Sequence, residues 1–165
     1  GAAARESRAV HHGLHGAGET AAPSRPPVAG VLVRTMLDTN ICVEIIRRRP
    51  VAVLDRLQSH AVGDVGISVV TLAELEFGVS DSRDPRRNRE ALAQFVLPLA
   101  VAPLDREVTA PYGRIRAALE KRGASIGAMD LLIAAHALSL GVRLATNNER
   151  EFRRVPGLRV ENWLA

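Results

Sequence analysis

The chain has 165 residues, 47% of them hydrophobic, which is enough for one domain with a buried core and too little for two. Its formal charge of +4 rests almost wholly on arginine, with Lys121 the only lysine, and the single cysteine, Cys42, excludes both an internal disulfide and a cysteine-based zinc site. Aromatic residues are 3% of the chain, too few for a base-stacking platform, and no apolar run approaches the length of a membrane span. The N-terminus also lacks the charged-then-apolar pattern of a signal peptide, so a soluble cytoplasmic protein is expected. The arginine bias suits a polyanionic partner, because the guanidinium fork matches phosphate; a GC-rich genome would produce the same bias, and both readings stand.

Residues 1–30 are rich in Ala, Gly, Pro, Ser and His without helical or strand periodicity, which predicts a disordered tail. Within it, His11, His12 and His15 read as solvated residues rather than a metal site, and Met36 or Val33 is a natural alternative start. The folded domain is expected over 31–165. Residues 31–37 read as a buried strand and 40–49 as a helix stopped by Pro50. Val51, Leu54 and Leu57 share helical spacing within 51–60, and the Gly63-Asp64 turn leads into a strand over 65–70. A helix over 71–79 ends near Gly78, an arginine-rich polar segment follows, and a further helix covers 87–96. After a strand at 99–104, a long helix over 105–122 stops at Gly123; the most apolar helix, 129–140, closes at Gly141 and gives way to strands at 142–146 and 158–162.

Strands alternating with helices predict an α/β fold whose central, mainly parallel sheet is flanked by helices. Ligands of such sheets bind at the carboxyl ends of the strands. Asp38, Thr71 with Glu74, and Asn148 all follow predicted strands, and Asp130 opens the helix that leads to one of them. Each has a local explanation. Asp38 suits a helix cap, Thr71-Leu72-Ala73-Glu74 matches the capping box, Asp130 favours the helix dipole, and Thr146-Asn147-Asn148 suits a turn. His136, inside an apolar helix, reads as a buried structural residue rather than a ligand, and Cys42 as core.

Local explanations predict no common location for the acids. Carboxylates drawn to one sheet edge repel one another, and a hard divalent cation relieves that repulsion; an all-oxygen set points to Mg²⁺ or Mn²⁺. Phosphodiester hydrolysis suits such a site.

At these residues the sequence resembles a known family. MLDTN at 36–40, ISVVTLAELEFGV at 67–79, IGAMDLLIAAHAL at 126–138 and TNNEREFRRVPGLRVENW at 146–163 together are similar to the PIN-domain ribonucleases of the VapC toxin type. The resemblance implies a PIN fold and a Mg²⁺-dependent endoribonuclease that cuts transfer or ribosomal RNA to inhibit translation. It also implies a homodimer, neutralised by a VapB-type antitoxin that blocks the active site. Asp38, Glu74 and Asp130 would be the metal-binding catalytic carboxylates, with Thr39, Asn40 and Thr146 as polar groups that orient them. The fourth family position, often aspartate, is Asn148 here, which puts a second metal in doubt. Glu151 nearby is a candidate for the missing carboxylate and equally suits a solvated surface.

Arg47, Arg48 and Arg49, the arginines of 83–89, Arg114, Arg116, Arg122, Arg150, Arg153 and Arg154 are candidates for RNA phosphate contacts, although most suit solvated faces. Two rival functions remain. A phosphatase with a strand-end aspartate nucleophile would present a second aspartate two residues later, where Asn40 stands. A catalytically weak PIN scaffold that binds RNA or protein without cleavage has Asn148 as its one sequence argument.

Overall fold

The computed structural model describes residues 33–165. The predicted tail over 1–30, and the first two residues of the predicted first strand, lie outside the described residues. Strand β1 (Thr35–Leu37) is buried along its whole length, as the middle strand of a parallel sheet must be. The elements that follow in the chain are α1 (Thr39–Arg48), α2 (Val51–Gln58), β2 (Val65–Ser68), α3 (Val69–Ser80), α4 (Pro85–Val96) and β3 (Ala100–Ala102). The second half holds a single 3₁₀ turn (Arg106–Val108), α5 (Thr109–Lys121), α6 (Ala128–Leu140), β4 (Arg143–Ala145), α7 (Glu149–Phe152) and β5 (Val160–Glu161).

The five strands lie in the order β3-β2-β1-β4-β5, and every pairing is parallel. Leu37 sits level with Ile67 on one side and Ala145 on the other, so β1, β2 and β4 end at one edge of the sheet. Successive strand residues point to opposite faces. Met36 and Leu144 therefore join Leu119, Ile133 and Phe152 in one core, while Leu37, Ile67 and Ala145 join Ile41, Leu75 and Trp163 in the other. Cys42 is fully buried in that second core, as expected of a core cysteine. Among the described residues, no helix is long and apolar enough to cross a membrane.

Three local expectations need correction. The strand predicted over 65–70 ends at Ser68, because the Ser68 hydroxyl accepts a hydrogen bond from the Val70 amide at 3.0 Å and starts α3 there. Thr71 is thus a fully buried residue inside α3, and the capping box expected at Thr71-Leu72-Ala73-Glu74 does not form. The helix predicted over 105–122 is split: Asp105 caps the 3₁₀ turn through the Glu107 amide, and α5 begins only at Thr109. Finally, α7 was not expected, since at four residues it is too short to show a helical period.

Gly66 lets β3 close onto β2. A Cβ at this position would stand 2.5 Å from the Ala100 carbonyl oxygen and 2.9 Å from a Val33 methyl. Backbone of a paired strand cannot yield as a flexible side chain can. Gly66→Ala should therefore destabilise the domain by about 1–3 kcal/mol, the usual range for an overpacked core, and a thermal melt would register this. An unchanged melting temperature would mean that β3 is free to shift.

Candidate active site

In this strand order the chain leaves β1 towards β2 on one side and later places β4 on the other. The sequence order of the strands reverses at that junction, and such sheets open a crevice there, beyond the carboxyl ends. Asp38, the residue after β1, lies at this position. Its amide donates to the Ala145 carbonyl at 3.0 Å, its Oδ1 accepts from the Ile41 amide at 2.9 Å, and its Oδ2 accepts from the Thr146 hydroxyl at 2.6 Å. The helix cap and the candidate ligand are thus one residue. Only 1% of Asp38 is exposed.

Burial pushes the Asp38 carboxyl up from 3.8 to about 6, against the lowering effect of its hydrogen bonds from Thr146 and Ile41. The charges of Asp130 and Glu74 add to the rise. Asp130, in the first turn of α6, is half-buried and likewise shifted upward, first by burial and then by Glu74 and Glu151. Glu74 projects from α3 and accepts a hydrogen bond from the Thr39 hydroxyl. The three predicted carboxylates thus share one electrostatic field. That mutual repulsion is what an acidic cation site looks like before a cation neutralises it.

The polar neighbours divide unevenly. Thr146 is fully buried and holds two partners, donating to Asp38 while accepting from the Asn148 amide at 2.9 Å. Thr39 holds Glu74. Asn40 is exposed in the first turn of α1, and no hydrogen bond links it to the acids, contrary to the orienting role expected of it. Asn148 occupies the capping position of α7 without a side-chain cap bond, which leaves its amide carbonyl uncommitted there. Glu151, on α7, is partly buried; its charge raises Asp130, and it forms a 3.6 Å ion pair with Arg154. Its proximity to Asp130 depends on α7.

All oxygen donors at this junction are carboxylates, hydroxyls or amides, a set that fits a hard divalent cation and excludes a thiolate or imidazole metal. Among the described residues, no three acidic, histidine or cysteine side chains are already gathered into a ligand cluster. His136 is not part of the set: it is fully buried, with its Nδ1 2.9 Å from the Ser68 hydroxyl.

Residues 35–158 match the PIN domain family. The chain belongs to that family. Within it, the chain is 42% identical to Ribonuclease VapC2 of Haemophilus influenzae over 133 residues, which cover 81% of this chain and all of that protein. It is equally 42% identical to the tRNA(fMet)-specific endonuclease VapC of Shigella flexneri over 132 residues, covering 80% of this chain and 99% of the relative. Among solved structures, VapBC2 of Rickettsia felis bound to a DNA fragment of its promoter contains a chain that superposes with a TM-score of 0.77 at 40% identity, covering 79% of this chain and 99% of that one. This VapC-family chain is accordingly a nuclease, and its acidic junction lies within the matched domain.

Of the arginines singled out as candidates for phosphate contacts, Arg122 donates to the Arg154 carbonyl at 2.7 Å, and the others fall into two groups. Arg48, Arg86, Arg89, Arg116, Arg153 and Arg154 pair with glutamates. Arg47, Arg49, Arg83, Arg87, Arg114 and Arg150 form no ion pair among the described residues.

The raised Asp38 pKa has a definite sign in stability. The folded state holds the proton more tightly than the unfolded state, so the penalty is absent below pH 3.8 and fully present above about 6. A rise from 3.8 to about 6 corresponds to roughly 3 kcal/mol at neutral pH. Asparagine caps helices as well as aspartate does. In EDTA, Asp38→Asn should therefore melt at or above the wild-type temperature at pH 7, and its advantage should shrink as pH falls towards 4. Groups common to both proteins cancel in this difference. An advantage that grew on acidification would contradict the buried-charge account.

Proposed function

We propose that the chain is a Mg²⁺-dependent endoribonuclease toxin that hydrolyses RNA phosphodiester bonds and is neutralised by a VapB-type antitoxin. The observation that carries this reading is the convergence of Asp38, Glu74 and Asp130 at the β1/β4 junction of a VapC-family fold. Asp38, Glu74 and Asp130 would hold the ion, with Glu151 beside Asp130 and the Asn148 carbonyl as further oxygen donors. When bound, a divalent cation there neutralises the phosphodiester and lowers the pKa of water. Thr146 and Thr39 keep the Asp38 and Glu74 carboxylates aimed, and burial of Asp38 excludes bulk water from one side of the site.

Transfer RNA is the favoured substrate class, because the Shigella relative is named as a tRNA(fMet)-specific endonuclease. The antitoxin partner is supported by the VapBC structures of Rickettsia felis and Salmonella typhimurium, each solved with bound DNA. The unpaired arginines, Arg150 on α7 above all, are the residues that would meet RNA phosphates, making binding steeply salt-dependent. The uncharged Asn148 favours the rival scaffold reading, and cleavage decides between them.

Asp38→Asn should remove most RNA cleavage while leaving a folded protein that still binds antitoxin. Cleavage at the wild-type rate, or cleavage that persists in EDTA, would refute the reading. Sequencing RNA 5′ ends after a pulse of expression would identify the substrate. A second measurement needs no substrate. Wild type should gain melting temperature on adding Mg²⁺, and Asp130→Asn should gain less, because only the folded site binds the ion. Equal gains would remove Asp130 from the ligand set.

A further inference from the structure

Among the described residues, two buried side-chain polar atoms, Thr71 Oγ1 and His136 Nε2, have no partner at good hydrogen-bond geometry, although the Pro103 backbone lies close enough to act on the His136 ring. They belong to α3 and α6, the helices that carry Glu74 and Asp130. These helices are also joined by a buried hydrogen bond between Ser68 Oγ and His136 Nδ1 at 2.9 Å, linking residues 68 positions apart. A polar pair in a largely apolar seam is expensive to bury, and α6 is apolar along nearly its whole buried length. Leucine or alanine would pack there without that penalty.

Position along the helices suggests why the pair is there. Six residues beyond Ser68 along α3 stands Glu74, and six residues back from His136 along α6 stands Asp130. The Ser68 and His136 pair and the Glu74 and Asp130 pair are therefore in one register, with the two helices passing in opposite senses. At a rise of about 1.5 Å per residue, the two pairings are separated by roughly 9 Å along the seam. One end of the seam is attractive and the other repulsive. Apart from the Thr71 hydroxyl, which has no partner, the buried side chains of the interval are apolar, and apolar contact is non-directional and sets no register. A hydrogen bond does, since it weakens steeply when its partners slide or turn.

We propose that His136 and Ser68 are positioning residues of the nuclease: their hydrogen bond fixes the register of α3 against α6 and so holds Glu74 and Asp130 facing one another across the acidic junction. Ser68 does this while capping α3, since its Oγ also accepts from the Val70 amide. The same serine sets where α3 begins and how it sits on α6. Neither residue touches substrate or ion. The proposal rests on the acidic-site reading and adds the device that keeps its two helical carboxylates together.

The test measures Mn²⁺ binding to the purified full chain by electron paramagnetic resonance, alongside thermal melts and RNA cleavage kinetics. His136→Phe keeps a ring of similar volume and removes the bond. It should weaken Mn²⁺ binding by roughly 10- to 100-fold, the usual effect of losing an outer-shell partner, and lower kcat without raising the KM for RNA. His136→Asn, whose amide can reach the Ser68 hydroxyl, should restore binding to within about threefold of wild type. Should His136→Phe fail to fold, Ser68→Gly removes the same bond from the other side while keeping most of the capping preference, and should show the same loss. Wild-type Mn²⁺ affinity in whichever of these two variants is folded overturns the proposal, as does a fall in melting temperature with unchanged affinity. A wild-type chain that neither binds Mn²⁺ nor cleaves RNA would instead overturn the acidic-site reading itself, and this proposal with it.

Discussion

A buried aspartate at the end of the central strand is the constraint on which the structure depends. Moving a lone carboxylate out of water is prohibitive, and Asp38 survives because an amide at one oxygen and a hydroxyl at the other partly replace its hydration. Those two donors come from α1 and from the residue after β4, so satisfying one side chain joins three elements at the sheet edge. The compensation is incomplete. Its pKa of about 6 shows that the charge is still held uphill, and Glu74 and Asp130 make it worse. A fold selected only for stability would place a serine or asparagine there, so the persistent strain is itself an argument for function.

Threonines manage that strain. Thr146 and Thr39 each offer one hydroxyl to one acid, and each stands directly beside an element end, where the backbone fixes its direction. Hydroxyl donors suit this task better than cations would. An arginine or lysine in their place would cancel the negative field on which the proposed cation site depends. A neutral donor stabilises the carboxylate and leaves its charge available.

Much of this was legible in the chain. Alternating apolar runs and helical periods foretold the strand order's raw material, and the strand-end position of Asp38 and the helix-start position of Asp130 followed from local sequence together with the family resemblance. The start of α3 did not. Val69 and Val70 favour a strand by propensity, and only the Ser68 hydroxyl, working as a cap, overrides them. Contacts that depend on tertiary register left no trace either. The Ser68 and His136 bond spans 68 positions, and Glu151 approaches Asp130 only because α7, too short to carry a period, turns it there. Asn40, given an orienting role by the family resemblance, is exposed on α1.

The acidic junction is also assembled from distant parts of the chain. Thr146 lies 108 positions after Asp38, and Thr39 and Glu74 are separated by 35. During synthesis, the amino-terminal portion presents Asp38 and Glu74 long before Asp130 and Thr146 exist. Contacts of such separation form late, once the intervening segment has been ordered. If the acidic junction is the nuclease site, a growing polypeptide cannot complete it until β4 has emerged and closed beside β1.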